Sequence, residues 1–158
     1  MGQSPNIEPF WQAYLATLPA GARPRRYSDE IWTFADTRES KTKVGRLVKA
    51  GIKTSTSGLV WGLEHAGEAP PPVGGIAIVA DGEGEPLCII EVTEVEIKPF
   101  NAVDEQFAFD YGEYGRTLEG WRAESWAYFA EECAAMGREP SEMMPLVCQR
   151  FRLLYPKL

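Results

Sequence analysis

The sequence has only one histidine, His65, and three cysteines among its 158 residues. Cys88, Cys133 and Cys148 are odd in number and widely spaced, so no disulfide framework is expected and a reducing compartment, the cytoplasm, is favoured. One histidine without a close cysteine pair lacks the spacing of a zinc site. The neighbours of His65 are largely polar, which predicts a surface side chain. Hydrolytic chemistry in this chain therefore needs a base other than histidine.

Long hydrophobic runs and net positive charge are also missing. No apolar stretch approaches the roughly 18 residues of a membrane span, and no signal peptide or lipidation motif is recognisable, so no membrane partner is expected. The formal net charge of −7 disfavours a protein that coats long nucleic-acid duplexes. Residues 23–53, however, carry nine basic and four acidic side chains. Anions are expected to contact this part of the chain.

The length and composition fit a single domain over residues 1–158. Apolar residues recur at helical spacing near the start and predict an amphipathic helix over residues 5–18 that packs on this domain. The residues of this apolar face are Ile7, Phe10, Trp11, Tyr14, Leu15 and Leu18. The sequence indicates no particular oligomeric state.

Two further helices are marked by their caps. One begins after Asp36 or Thr37 and ends near Gly51, and a longer one begins after Thr117 and ends near Gly137. Along the longer helix, Leu118, Trp121, Ser125, Phe129 and Cys133 share one face. Its aromatic residues, with Trp126, are expected to be core rather than a stacking platform.

Strands are predicted between these helices. Residues 76–79 and 87–97 form a hairpin around the turn at 81–84, residues 31–34 are a short candidate strand, and residues 146–155 alternate as a closing strand. In the second hairpin strand, Glu91 is expected to share an apolar face. Strands interleaved with helices predict an α+β fold whose sheet curls into a small barrel flanked by helices.

Several motifs in this order resemble the ASCH domain, a family with a PUA-like β-barrel fold. Residues 51–56 read Gly-Ile-Lys-Thr-Ser-Thr, a G-x-K-x-x-T pattern, and a strand at 88–93 reads Cys-Ile-Ile-Glu-Val-Thr. The helix start at 117–122 and the strand at 147–151 match longer members, and the likeness covers roughly residues 28 to 156. Shorter members carry an arginine where Gly58 stands. The basic cluster at 23–49, or Arg150 with Arg152, is a candidate replacement for that anion contact.

The resemblance implies two kinds of function. Some ASCH proteins are described as ribonucleases and PUA-like folds commonly bind RNA, whereas other members remove the acyl group from N4-acylcytidines with a lysine, a threonine and a glutamate. The lysine corresponds to Lys53 and the threonine to Thr56. The glutamate corresponds to Glu113 if one residue is inserted, whereas Glu91 matches a strand glutamate of the family whose role is unassigned. The sequence therefore leaves open whether Glu113 or Glu91 is the catalytic carboxylate.

The chemistry of these residues favours the amidohydrolase. A lysine base needs a lowered pKa, which burial supplies and a nearby carboxylate opposes, unless lysine and glutamate share one proton. Thr56 would then attack the amide carbonyl and a protonated Glu113 would donate to the departing amine. Lys53 and Thr56 share a face only if the chain between them forms a helical turn, because an extended strand points them to opposite faces. The alternatives are an exposed phosphate contact for Lys53 and an ordinary strand position for Thr56.

The expected substrate-binding residues are Ser57, Glu91, Trp61, Tyr111, Tyr114 and Arg150. Trp61, Tyr111 and Tyr114 are candidates for stacking on a nucleobase, and Glu91 is expected to pair with Lys53 or Arg150. No metal and no cofactor is expected. The predicted partner is a modified cytidine nucleoside or single-stranded RNA. An RNA-binding module or metal-independent ribonuclease that uses the same pocket is the main alternative, and a ligand sensor without turnover is a third.

Overall fold

The computed structural model describes residues 2–158, which contain five α-helices and four β-strands. The helices are α1 (Ile7–Leu15), α2 (Arg38–Lys49), α3 (Val60–Ala66), α4 (Glu105–Asp110) and α5 (Leu118–Ala135). The strands are β1 (Ser55–Leu59), β2 (Ile76–Ala80), β3 (Pro86–Pro99) and β4 (Pro145–Tyr155). Short 3₁₀ turns lie at Phe100–Ala102 and Tyr114–Arg116. Among residues 2–158, no helix combines the length and apolar character that a membrane crossing requires.

The four strands form one sheet in the order β1-β4-β3-β2. β2 pairs antiparallel with β3, which confirms the predicted hairpin, and the ladder is irregular between Val79 and Ala80. β1 pairs antiparallel with β4, with Thr56 opposite Gln149 and Ser57 opposite Cys148. β1 is thus an edge strand, hydrogen-bonded to another strand of the sheet only on the side that faces β4.

Two compact units can be distinguished. Unit 1 comprises the chain up to Ile52 with Val73–Val92 and Phe151–Leu158, and unit 2 comprises Lys53–Pro72 with Thr93–Arg150. β3 and β4 each contribute residues to both units. The prediction of a single domain over residues 1–158 stays a prediction.

Unit 1 has two hydrophobic clusters. The predicted N-terminal helix is confirmed over Ile7–Leu15, with Ile7, Trp11 and Tyr14 buried in a cluster that includes Ile78. The second predicted helix is α2, where Thr37 and Ser40 form a reciprocal capping box. The second cluster consists of Phe34, Val44, Val48, Ala77, Val79, Cys88, Ile90 and Phe151.

Unit 2 is built around α5. Thr117 caps this helix by accepting a hydrogen bond from the Gly120 amide, as predicted. Trp121 is fully buried, and its ring stacks on Phe100 with 5.2 Å between centroids. Phe129 and Cys133 are also buried, so Trp121 and Phe129 of α5 serve as core, as predicted. Trp126 is partly buried and packs on the same cluster.

Three local expectations differ from the structure. Residues 31–34 form only an isolated bridge between Trp32 and Val79 instead of a strand. Residues 105–110 form α4, which was not predicted although Asp104 caps it by accepting a hydrogen bond from the Phe107 amide. The face of β3 that Glu91 was expected to share with apolar residues is partly open to solvent, since Thr93 and Ile97 on it are exposed. Periodicity indicates which residues share a face, whereas tertiary packing decides whether that face is covered.

Candidate active site

The ammonium group of Lys53 is buried, with 1% of its side chain exposed. It lies 2.9 Å from Oε2 of Glu113 and donates a hydrogen bond of 3.2 Å to the carbonyl oxygen of Tyr111. Burying a charge is costly unless it is paired and hydrogen-bonded. These contacts are the compensation that such a buried cation requires, and they bring together two of the residues that the resemblance selected.

Burial lowers the pKa of Lys53 from 10.5 to about 8, although the neighbouring carboxylate of Glu113 acts in the opposite direction. Desolvation therefore has the larger effect of the two. A lysine whose pKa lies near 8 has a deprotonated fraction close to neutral pH and can accept a proton there.

Thr56 lies within β1, so the helical turn that would align it with Lys53 is absent. Strand alternation directs Thr56 to the face opposite Ser55 and Ser57. The Ser57 hydroxyl donates a hydrogen bond of 3.5 Å to the Tyr111 hydroxyl. Burial raises the pKa of this phenol, and the Thr56 side chain acts in the opposite direction. Tyr111 consequently contacts both Lys53 and Thr56, which the extended backbone would otherwise separate.

The start of β1 is attached to α4 by hydrogen bonds. The Thr54 amide donates to the carbonyl oxygen of Asp110 at 2.7 Å, and Oγ of Ser55 donates to the carbonyl oxygen of Phe107 at 3.1 Å. Both acceptors belong to the last turn of α4, directly before Tyr111. This attachment explains how residues far apart in sequence meet at Lys53.

The backbone around Glu113 is strained. Gly112 precedes it with φ of +74°, and Tyr114, Gly115 and Arg116 follow with φ of +56°, +72° and +59°. A non-glycine residue in this region costs about 1–3 kcal/mol, and such strain concentrates at functional sites. Arg116 supports the segment, since its Nε donates to the Phe109 carbonyl oxygen at 2.9 Å.

The three aromatic stacking candidates differ in accessibility. Tyr111 is 9% exposed, whereas Tyr114 is 39% exposed and stacks on Tyr111 with 6.0 Å between ring centroids. The guanidinium of Arg138 lies 3.8 Å from the centroid of the Trp61 ring and covers one of its faces. Tyr114 therefore offers the most accessible ring of the three.

The two remaining charged candidates are paired. Arg150 contacts Asp110 at 2.5 Å and Glu94 at 3.7 Å. Glu91 pairs with Arg152 at 2.6 Å, so the expected partner, Lys53 or Arg150, was wrong. The sequence pattern places Glu91 on a strand but does not give the register between β3 and β4, which selects the partner.

Two polar residues of unit 2 were not singled out from the sequence. Asp110 holds Arg150 from the end of α4. Gln149 stands opposite Thr56, and its Oε1 is buried without a hydrogen-bond partner among residues 2–158. A signal was present, because Gln149 interrupts the apolar face of Val147 and Phe151 on β4.

The cysteines and the histidine contribute little chemistry here. Cys88, Cys133 and Cys148 are all buried and free. Burial raises the pKa of the Cys148 thiol to about 12, so it stays protonated and is not a thiolate nucleophile at neutral pH. His65 is exposed, as predicted. Within residues 2–158, no group of three His, Cys, Asp or Glu residues is placed to hold a metal ion.

Comparison with known proteins gives one family and similar solved structures. The sequence model of the ASCH domain matches residues 30–155. The crystal structure of an ASCH domain from Lactobacillus crispatus JV V101 has a TM-score of 0.88 and 28% identity, over 99% of this chain and 98% of that one. A crystal structure of a protein from Enterococcus faecalis V583 has a TM-score of 0.79 and 35% identity, and the match covers 95% of this chain and 90% of that one. Curated proteins give no match. The predicted α+β, PUA-like fold class is confirmed.

Proposed function

Because this chain belongs to the ASCH domain family, we propose that it is an amidohydrolase that removes the acyl group from N4-acylcytidine-type nucleosides. The observation that carries this proposal is the buried Lys53 ammonium, whose pKa is lowered to about 8 even with Glu113 at 2.9 Å. A general base works best when its pKa lies near the operating pH. An exposed lysine that only contacts phosphate has no need of this burial.

In the first half-reaction, the hydroxyl proton of Thr56 passes to neutral Lys53 through an intervening water, because strand alternation turns Thr56 away from Lys53. The threonine oxygen bonds to the acyl carbon, and the carbonyl oxygen becomes a transient oxyanion. The carbon–nitrogen bond then breaks, and the cytidine amine leaves with the proton that Lys53 and Glu113 share across their contact. The products are cytidine and an acyl ester on Thr56.

In the second half-reaction, water attacks the ester. The Lys53–Glu113 pair accepts a proton from the water and returns one to the threonine oxygen, so that the carboxylic acid leaves and the enzyme is restored. Tyr111 supports both steps by accepting the Ser57 hydroxyl hydrogen bond and so fixing this part of β1 beside Thr56. Burial raises the pKa of its phenol to about 12, so the hydroxyl beside Thr56 stays protonated across the working range.

The proposal is tested by following N4-acetylcytidine and bulkier N4-acylcytidines by ultraviolet absorbance. We expect wild type to release cytidine, Lys53→Ala to lose about 100-fold or more in kcat, and Thr56→Val to lose the nucleophile altogether. Lys49→Ala, at an exposed lysine of α2, is the matched control and should keep wild-type activity. Circular dichroism shows whether the variants at Lys53 and Thr56 are folded.

The outcomes separate the parts of the proposal. Absence of turnover of every N4-acylcytidine by wild type overturns the amidohydrolase. Unchanged activity of Lys53→Ala overturns the assigned base. Mass spectrometry of the quenched reaction should detect an acyl adduct on wild type and none on Thr56→Val.

An RNA-binding or RNA-cleaving module is the second candidate, favoured by the exposed basic residues of α2. Lys43, Arg46 and Lys49 are exposed on this helix. RNA binding should weaken steeply as salt increases, whereas hydrolysis of an uncharged nucleoside should barely respond. Replacing the three residues by glutamine should remove RNA binding and leave nucleoside turnover intact. A protein that neither binds nor cuts single-stranded RNA at low salt excludes this candidate.

A further inference from the structure

The amide oxygen of Gln149 is an anomaly among the buried polar groups of unit 2. Gln149 Oε1 is buried and has no hydrogen-bond partner within residues 2–158. A buried acceptor without a partner is destabilising and calls for an explanation, such as a ligand that satisfies it. Trp121 Nε1 is also buried without a hydrogen-bond partner among these residues. It lies within the hydrophobic cluster around α5, where a ligand has no access.

The position of Gln149 gives that explanation. Thr56 and Gln149 are register partners across β1 and β4, so their side chains are neighbours on the same face with Cβ atoms about 4.5–5.5 Å apart. The next residue of β1 on this face is Gly58. A Cβ added at Gly58 would meet no heavy atom within 4 Å. A buried unpaired acceptor is therefore carried by the register partner of Thr56, and the next position of β1 on the same face is open.

We propose that Gln149 recognises the substrate, with its Oε1 accepting a hydrogen bond from the N4–H of an N4-acylcytosine while Thr56 attacks the adjoining acyl carbon. This assignment rests on the proposed amidohydrolase function. The N–H and the acyl carbon are directly bonded, so an acceptor and a nucleophile on neighbouring side chains match their spacing. The Gln149 side chain as a whole is half-buried, and no hydrogen bond holds its oxygen inward, so the amide can turn toward the ligand.

The assignment also defines a substrate class. A secondary amide carries the N–H that satisfies Gln149, whereas a tertiary amide or an ester at the same position leaves the oxygen unpaired. Sites built to hydrogen-bond a substrate group reject analogues that lack it, because the buried polar atom stays unsatisfied. The chain should therefore prefer ligands with one substituent on N4 over ligands with two.

The experiment uses ligands that contain no acyl group, so that recognition is measured apart from hydrolysis. Isothermal titration calorimetry compares N4-methylcytidine with N4,N4-dimethylcytidine on wild type, Gln149→Met and Gln12→Met. Gln149→Met keeps the length of the side chain and removes its amide. Gln12→Met makes the same exchange at an exposed glutamine of α1 and serves as the control. N4-acetylcytidine turnover is measured in parallel.

We expect wild type and Gln12→Met to bind N4-methylcytidine about 10- to 100-fold more tightly than the dimethyl compound, and Gln149→Met to lose this preference. The melting temperature of Gln149→Met should equal or exceed that of wild type, because an unpaired buried oxygen has been removed. A preserved preference in Gln149→Met overturns the inference, as does failure of wild type to bind either ligand. A clearly lowered melting temperature indicates a structural role and also overturns it. Selective binding without turnover of N4-acetylcytidine leaves the recognition role standing and refutes only the amidohydrolase.

Discussion

The ammonium nitrogen of Lys53 lies 3.3 Å from the centroid of the Tyr111 ring. The same tyrosine accepts a hydrogen bond from Lys53 through its carbonyl oxygen, and its hydroxyl accepts one from Ser57 and interacts with Thr56. The ring stabilises the cation by a cation–π contact, while the hydroxyl orients the strand. Tyr111 is thus a positioning residue for both partners of the proposed proton transfer.

This relationship predicts different effects for two substitutions at Tyr111. Tyr111→Phe keeps the ring and loses only the hydroxyl, so kcat for N4-acetylcytidine should fall about 10-fold while the pH dependence stays in place. Tyr111→Leu removes the cation–π contact, so the pKa of Lys53 should fall further. The rising limb of the pH–rate profile, the part in which kcat/KM rises with pH, should therefore move to lower pH. Steady-state kinetics from pH 5 to 10 check both, with Tyr128→Phe on α5 as the control. Identical pH profiles for the Phe and Leu variants would contradict the cation–π contribution.

The pH dependence of wild type follows from Lys53. Only the deprotonated lysine accepts the threonine proton, and burial lowers its pKa to about 8. The value of kcat/KM should therefore rise about tenfold per pH unit below that point and level off above it. Initial rates corrected for spontaneous hydrolysis provide the measurement. A rate that is flat from pH 6 to 9 is incompatible with Lys53 as the base.

Glu113 and Glu91 are distinguished by a matched pair of substitutions. Glu113 raises the pKa of Lys53, so Glu113→Gln should move the rising limb below pH 8 and reduce the maximal rate about 100-fold through lost proton delivery. Glu91 pairs with Arg152, whose side chain is 66% exposed, so Glu91→Gln should leave the rate within about twofold. The opposite result, a severe effect at Glu91 and none at Glu113, would identify Glu91 as the working carboxylate.

The space beside Thr56 predicts unequal tolerance of two glycines. Gly58→Ala should leave stability unchanged, because its Cβ meets nothing within 4 Å, whereas Gly58→Leu should remain folded but obstruct substrate and raise KM. At Gly82, a Cβ would clash with the backbone carbonyl of Arg38, so Gly82→Ala should destabilise the fold by about 1–3 kcal/mol. Thermal denaturation and KM for N4-acetylcytidine test these outcomes. A Gly58→Leu variant with wild-type KM would show that substrate does not use this space.

Much of the fold was predictable because its signals are local. The apolar spacing of α1 and the caps at Thr37 and Thr117 depend on neighbouring residues only, and all three appear in the structure. Helix α4 was missed because an acidic, aromatic stretch hides its short amphipathic pattern. The partner of Glu91 was wrong because strand register is a property of the assembled sheet.

For the candidate site, the sequence by itself determined the residue types and their order: Lys53 after a helix end, Thr56 three residues later, and Glu113 before a capped helix. Only the tertiary structure decided their chemical state. The pKa of Lys53 falls because the fold removes its ammonium from water, and the Lys53–Glu113 contact forms because α4 is attached to the start of β1. Desolvation and proximity are properties of the packed chain, so no local pattern in the sequence encodes them.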